Sequence, residues 1–218
     1  IYGLNGVVDI IENEVTNNTT IEQYSVLVRS ALTNNKIVKV NDFCMHDTGV
    51  VINNNTIIAE QIINEGGSFT ANEGSVAQGN FNNGVLSGNK FNSNGNNIFI
   101  GTLNPTYLNL NNGMLNMFGD LSATTTTANG GSLNLADGVY RTSNFGKLKL
   151  NNNMNLLLDT NLATASIDQI KANEVSGDGK INMILNMPSR IDTVITNPNI
   201  KLNPIADGSD EALKGAIT

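Results

Sequence analysis

The feature that most limits how this chain can fold is a short apolar alternation that recurs many times between asparagine and glycine residues. Residues 109–138 read NLNNGMLNMFGDLSATTTTANGGSLNLADG, and apolar residues come at every second position in bursts of three or four. Side chains at every second position of a β-strand lie on one face of the sheet. Short runs of this kind, separated by turn residues, predict an all-β fold.

Similar runs cover most of the chain between residues 53 and 187. We predict strands at residues 36–40, 49–52, 56–63, 85–86, 98–103, 107–110, 114–118, 132–135, 147–150, 155–159, 167–172 and 180–185. Residues 124–127, four threonines, are interpreted as an exposed β-branched run or a loop that bulges from one coil. The runs follow no strict period. A solenoid coil needs only turn residues and an inward apolar face, so its repeats can lose sequence identity.

Asparagine is concentrated at the ends of these runs, as at residues 53–55, 111–112 and 151–153. Asn and Gly adopt the left-handed backbone conformation of sharp turns at low steric cost. Asn side chains on successive coils can also form a ladder of amide hydrogen bonds, as in stacked β-structures. This placement favours a parallel β-solenoid. An antiparallel sandwich or barrel and a disordered Asn-rich tract are the alternatives.

The two ends of the chain differ from the middle. Thr20 and Gln23 have the spacing of a helix capping box, and apolar residues follow at helical spacing. We therefore predict an amphipathic helix over residues 21–32 that covers the open end of the first coil. Residues 208–213 resemble the start of a second helix, which caps the stack or links it to a following segment. The predicted division is a lead-in and capping helix at 1–35, coils at 36–187, and a C-terminal cap or linker at 188–218.

The composition excludes several classes of function. Charged residues make up 14% of the chain, and the net charge is −7 with an isoelectric point near 4.6. A nucleic-acid partner would require clustered Lys and Arg opposite the phosphates. Cys44 is the only cysteine, so no internal disulfide can form. No apolar run has the length of a membrane span.

Four segments resemble the passenger domains of bacterial autotransporters. They are GGSLNL at 130–135, LLLD at 156–159, SIDQI at 166–170 and GDGKINM at 177–183. Residues 21–63 are similar to the first helix and strands of right-handed parallel β-helix adhesins and pectate-lyase-like proteins. The resemblance covers about two thirds of the chain. It implies a right-handed, single-stranded parallel β-helix displayed on or released from a cell surface, with Asp168 at the family's structural aspartate. Without the family's membrane barrel, this sequence is expected to be a piece of a longer protein.

Two sets of carboxylates are candidates for sugar chemistry. They are Asp42 and Asp47 with His46, and Asp159, Asp168 and Asp178. Acid–base cleavage of sugars uses two carboxylates about 5–10 Å apart, a spacing that neighbouring coils can supply. Roles in turns and at strand ends are the favoured interpretation of Asp159 and Asp168. Sugar clefts also use aromatic platforms, and this chain has no Trp and 5% aromatic residues.

Metal sites are incomplete in the sequence. Residues 44–47 (Cys-Met-His-Asp) bring two soft ligands together, but no second cluster completes a site. Residues 177–179 and 207–211 are acidic turns without the spacing of a calcium loop. We therefore predict no catalytic, cofactor-binding or metal residues, and no cofactor.

These observations predict a non-enzymatic structural or adhesive module of a bacterial secreted or autotransported protein, which acts in cell adhesion or self-association. The expected location is extracellular, either attached to the bacterial outer membrane or secreted. The expected partner is a protein or glycan of a host or bacterial surface, or a second copy, and not nucleic acid. Two alternatives remain: a carbohydrate-active β-helix, either a polysaccharide lyase or a tailspike-like hydrolase, and a subunit of an extracellular filament or sheath.

Overall fold

The computed structural model describes residues 6–10, 14–46, 48–65, 67–72, 74–83, 90–187 and 201–218. Nearly all regular structure in these ranges is strand. The strands are β1 Val7–Ile10, β2 Glu14–Asn17, β3 Ile21–Glu22, β4 Ser25–Val28, β5 Ala31–Asn34, β6 Ile37–Met45, β7 Val50–Asn53, β8 Thr56–Asn64, β9 Ser68–Ala71, β10 Val76–Asn83, β11 Lys90–Asn94, β12 Asn97–Leu103, β13 Tyr107–Asn112, β14 Met114–Phe118, β15 Thr125–Ala128, β16 Ser132–Asn134, β17 Thr142–Asn144, β18 Lys147–Leu150, β19 Met154–Asn161, β20 Ser166–Ile167, β21 Gln169–Lys171, β22 Glu174–Ser176 and β23 Ile181–Asn186. One helix, α1, spans Glu211–Ala216.

Most successive strands alternate between two long sheets and pair with strands of the neighbouring coils, and β17 and β21 form a third, two-stranded sheet. The nine-stranded sheet has the order β2-β5-β7-β9-β11-β13-β15-β18-β22. The twelve-stranded sheet runs β1-β4-β6-β8-β10-β12-β14-β16-β19, with β3, β20 and β23 at its margins. Almost every pairing is parallel; the β19–β20 pair is antiparallel. The chain is therefore a parallel β-solenoid, as the placement of asparagine predicts.

Each coil has three walls, because the longest strands of the twelve-stranded sheet turn a corner. In β6 and β8 the inward–outward alternation slips by one residue at Asn41 and Glu60. Residues 37–40, 56–59, 76–79, 97–100 and 115–118 form the first wall. Residues 25–28, 42–45 and 61–64 form the second wall, and the nine-stranded sheet forms the third.

Inward-facing apolar residues of all three walls fill the interior of the stack. Its centre is a group of phenylalanines, all fully buried, that includes Phe69, Phe81, Phe91 and Phe99. Phe69 and Phe91 stack with ring centroids 5.3 Å apart, and Phe81 contacts Phe91 edge-on at 5.6 Å. Such offset and edge-on pairs are the preferred arrangements of aromatic rings. They fix the relative positions of the middle coils.

The N-terminal helix predicted over residues 21–32 is wrong. The segment forms β3, β4 and the start of β5, and these strands pair in parallel with the next coil: Val26 lies opposite Phe43 and Val28 opposite Met45. The free edge of β6 supplies hydrogen bonds that outweigh a weak helix preference, and β-branched valines favour the extended form. Tyr24, which the helical pattern places on the apolar face, is 61% exposed. The coils therefore begin at β1, before residue 36.

A helix is present at the C-terminal end instead, where residues 208–213 predict one. Asp210 caps α1 by accepting a hydrogen bond from the Ala212 amide at 2.9 Å, and its other carboxylate oxygen accepts from Val175 at 2.9 Å. Leu213 is fully buried. Beyond α1, Ile217 pairs in parallel with Ile181. The last turns of the chain thus cover β22 and one end of β23.

Most of the predicted strands are confirmed within a few residues. The run at 167–172 is divided at Asp168 into β20 and β21, and the run at 85–86 lies outside the described residues. The interpretation of residues 124–127 as an exposed run or bulge is wrong, because they contribute to β15 and Thr126 is fully buried.

Candidate functional site

The turns between the third and first walls are connected by a ladder of asparagine side chains. In each rung the side-chain amide of the later coil donates to the amide oxygen of the earlier one, over distances of 2.7–3.4 Å. The ladder passes through Asn18, Asn35, Asn54, Asn72, Asn94, Asn111, Asn129 and Asn151. This outer ladder runs along most of the stack, and it confirms the predicted amide ladder.

A second, shorter ladder lies inside the first three of these turns. Asn17 donates to Asn34 at 2.8 Å, and Asn34 donates to Asn53 at 2.9 Å. All three side chains are buried. The amide of Asn53 continues the chain of hydrogen bonds to the carbonyl of Val76 at 3.0 Å. A buried amide without partners costs about 1–3 kcal/mol, so this inner ladder fixes the register of the coils.

The corner between the first and second walls narrows along the stack. Between β8 and β10 the register shifts by one residue, and Gly79 stands at the corner where β8 has Ala59 and Glu60. Gly101 and Gly119 follow at the same corner of the next two coils, all with positive φ. A Cβ on Gly101 would lie 2.1 Å from the carbonyl oxygen of Gly79. These glycines permit close contact between coils and leave the outer corner without side chains.

This narrowing produces a groove of about 830 Å³, which we name the corner groove. It runs along the stack from the coil of β3 and β4 to that of β12. Backbone around Ala59, Gly79 and Gly101 forms its floor. The side chains that give it chemical character are Glu22, Tyr24, Lys39, Glu60, Gln78 and Ile100.

The polar side chains of the corner groove have no partners among the residues that the structure describes. Glu22, Lys39, Glu60 and Gln78 are exposed, and neither a hydrogen bond nor an ion pair joins them to the described part of the chain. By contrast, many of the asparagines at the turns donate to one another in the outer ladder. The groove is therefore a surface whose hydrogen-bonding capacity is free for a partner molecule.

The first predicted carboxylate set does not form this groove. Asp42 and His46 belong to the second wall and its following turn, and Asp47 lies outside the described residues. Nδ1 of His46 is 2.6 Å from a carboxylate oxygen of Glu65. Burial raises the pKa of the Cys44 thiol, and the charges of Asp42 and Glu65 raise it further. Cys44 is thus held as a thiol, which is not the form that binds metals.

In the second predicted carboxylate set, two of the three side chains have a structural role. Asp168 accepts hydrogen bonds from the backbone amides of Arg141 at 2.9 Å and Asp159 at 2.8 Å. Asp159 accepts from the amide of Gly138 and, at 2.8 Å, from Asn186. Both carboxylates are buried, and they hold the loop before β17 against β19. Asp178 is exposed in the turn before β23.

Of the two acidic turns that lack the spacing of a calcium loop, the one at residues 207–211 has partners within the protein. Both carboxylate oxygens of Asp210 accept backbone amides, and Glu211 pairs with Lys214 at 2.9 Å. Within the described ranges, no cluster of three or more His, Cys, Asp or Glu side chains has a geometry that could hold a metal ion.

The buried position of Asp168 gives a pH dependence that can be measured. Burial raises the pKa of its carboxyl above the ordinary value of 3.8; the charges of Asp159 and Asp137 also raise it, and the two amide hydrogen bonds lower it. The folded protein therefore holds this proton more tightly than the unfolded chain. The contribution of Asp168 to the free energy of unfolding is complete below pH 3.8 and declines as the pH rises through the folded-state pKa.

Urea denaturation of the wild type and Asp168→Ala between pH 3 and 7 measures this contribution. We expect the difference in unfolding free energy between the two proteins to narrow as the pH rises. A difference that widens with pH would show that hydrogen bonding to the charged carboxylate dominates.

Sequence reasoning did not find the corner groove. Its residues come from five coils. One outward column along the first wall contains Lys39, Ile58, Gln78, Ile100 and Phe118, and successive members are 19, 20, 22 and 18 residues apart in the sequence. Such irregular steps conceal the column. The signal that could have located it is the set of glycines at 79, 101 and 119. Gly79 and Gly101 occupy strand interiors, where glycine is unfavourable unless backbone approaches closely, and Gly119 directly follows β14.

The chain matches no protein-family model, no curated protein and no solved structure. Across the part of the chain that is described, none of the helical structure has the length and apolar character needed to cross a bilayer.

Proposed function

We propose that the protein is a non-enzymatic adhesive module, displayed on or released from a bacterial surface, that binds its partner through the corner groove and the adjoining first wall. The observation that carries this proposal is the set of polar groove side chains without intramolecular partners, next to outward apolar residues. Ile100 is 37% exposed and Phe118 41% exposed on this wall. Apolar patches bordered by polar side chains are typical of interaction surfaces.

The ladders support a role that depends on shape. Two sets of amide hydrogen bonds connect successive coils, so the groove residues of five coils are held at fixed spacing. A binding surface that is rigid before contact loses less conformational entropy on association. A stacked, rigid wall of this kind suits repeated contact with a cell surface or with another copy.

Adhesion of protein-coated beads to bacterial and epithelial cells, and clustering of the beads with one another, tests the proposal. Ile100→Lys places a charge on the first wall where Ile100 lines the groove, and Tyr107→Lys is a matched control on the third wall, where Tyr107 is 40% exposed. We expect Ile100→Lys to lower adhesion or clustering, with an unchanged far-UV circular dichroism spectrum, and Tyr107→Lys to retain both. If neither attachment nor clustering responds to Ile100→Lys, the adhesive role is wrong.

A carbohydrate-active enzyme is the second candidate, because Glu22 and Glu60 both line the groove. They lie two coils apart, so their backbones are about 10 Å apart, near the upper end of the carboxylate separation in inverting glycosidases. Chain shortening of a neutral polysaccharide, abolished by Glu60→Gln, would favour this function over adhesion.

A further inference from the structure

The shape of the corner groove selects for a long, narrow occupant. The groove crosses five coils in the direction of the stack, which at about 4.8 Å per coil gives a length of about 19 Å. Its floor lacks side chains at Gly79 and Gly101. A chain molecule that lies parallel to the stack would fit this shape, and a compact ligand would contact only part of it.

The backbone around the groove is not free to bind a peptide strand. The strands β6, β8 and β10 each pair on both sides with neighbouring strands. Addition of a peptide strand requires unpaired backbone groups at a sheet edge. A peptide cannot add to the sheet here, and the occupant must therefore be recognised by side chains.

The side chains that face the groove combine both charges with amides and apolar surface. Glu22 and Glu60 offer acceptors, Lys39 offers donors, and Gln78 offers both. Two carboxylates against one ammonium, on a chain of net charge −7, oppose a polyanion such as a sulfated glycan or a nucleic acid. Uncharged hydroxyl groups, by contrast, can donate to the carboxylates and accept from Lys39.

Tyr24 and Ile100 provide the apolar contacts that such a ligand also needs. Tyr24 stands near one end of the groove and is 61% exposed, so one face of its ring is open for stacking. Ile58 and Ile100 lie on the first wall along the groove. An apolar ring face between hydrogen-bonding groups matches the two kinds of surface on a sugar ring, its C–H face and its hydroxyl rim.

From these four features we infer that the corner groove binds an uncharged linear oligosaccharide, laid along the stack over about four sugar units, with one unit on the ring of Tyr24. This inference rests on the proposed function, since it names the partner of the same surface. It requires no cleavage of the ligand.

Calorimetric titration of the whole chain tests the inference. The probes are oligosaccharides of two to six units from neutral glucan, mannan, xylan and galactan, and hexasaccharides of polygalacturonate and heparin. At least one neutral probe is expected to bind, and its affinity should increase with length up to about four units. We expect Tyr24→Ala to weaken binding about tenfold and the matched variant Tyr107→Ala to change it less than about twofold.

Three results would overturn the inference: no neutral probe binds, a charged probe binds more tightly than every neutral one, or Tyr24→Ala and Tyr107→Ala have equal effects. Adhesion assays on the same variants separate this failure from failure of the proposed function. If Tyr24→Ala or Ile100→Lys still lowers adhesion while no oligosaccharide binds, the module is adhesive but its partner is not a neutral glycan.

Discussion

Gly101→Ala is expected to lower the free energy of unfolding by at least about 3 kcal/mol. The added Cβ would lie 2.1 Å from the carbonyl oxygen of Gly79 and 2.9 Å from its carbonyl carbon. Neither atom can move aside, because β10 is paired with β8 as well as β12. Gly101 also has a φ of +124°, which residues with a Cβ rarely adopt. Chemical denaturation followed by circular dichroism measures the loss.

Gly215→Ala is the matched control for this change. Gly215 lies in α1, and a Cβ there would meet no atom within 4 Å apart from the neighbouring backbone of its own helix. Alanine is favoured over glycine in a helix by about 1 kcal/mol, so this variant should be as stable as the wild type or slightly more so. Equal stability of the two variants would mean that the coils are not in contact at Gly101.

Asn34→Asp is expected to lower the free energy of unfolding by about 3–5 kcal/mol at pH 7. The side-chain amide of Asn34 donates to Asn53 at 2.9 Å and to the carbonyl of Thr56 at 3.2 Å. A carboxylate at this fully buried position loses both hydrogen bonds and faces two oxygen atoms. Acidification should restore part of the stability, because a protonated Asp can donate again.

The neighbouring residue gives a stringent control for the inner ladder. Asn35 belongs to the outer ladder, where it is partly exposed and its side-chain amide donates to Asn18 at 2.9 Å, the bond that Asn35→Asp removes. Water can replace the lost hydrogen bond there, so Asn35→Asp should cost about 1 kcal/mol or less. Urea denaturation of both variants at pH 7 and pH 4 makes the comparison. If Asn34→Asp and Asn35→Asp lower the free energy of unfolding equally, burial of the inner ladder does not determine its contribution to stability.

Much of the fold could be predicted because the turn chemistry is local. Asn at the ends of alternating runs indicates both where the chain turns and what the turns contain, as the ladder through Asn54 and Asn111 shows. Thr126 shows where this approach fails. A run of threonines carries no alternation of polarity, so its inward member could not be identified.

The helix prediction for the N-terminal segment was wrong for a different reason. Residues 21–32 have apolar positions that fit a helical spacing, but Val26, Val28 and Leu32 also fit the inward positions of two short strands. The strands form because β4 pairs with β6 and β5 pairs with β7. These partner strands lie later in the sequence, so the segment alone does not distinguish a helix from strands.

The candidate site could not be predicted because it depends on alignment between coils. Glu22 and Glu60 are 38 residues apart in the sequence and share the groove only because β3, β6 and β8 are stacked in register. The buried Asp159 and Asp168 were easier to interpret, since Asp168 lies between two short strands and Asp159 lies near the end of β19, where backbone amides are available to a carboxylate.

Distances between spin labels along one outward column of the third wall test the stacked parallel coil most directly. Thr33, Asn109, Thr127 and Lys149 lie in this column, with Asn109 four strands from Thr33 and each later residue one strand further. In a Cys44→Ser background, labels at Thr33 paired with each of the other three should give distances of about 19, 24 and 29 Å, a constant step of about 4.8 Å. Distances that do not increase in equal steps, or that stay short as in a sandwich of hairpins, would contradict the stacked parallel coil.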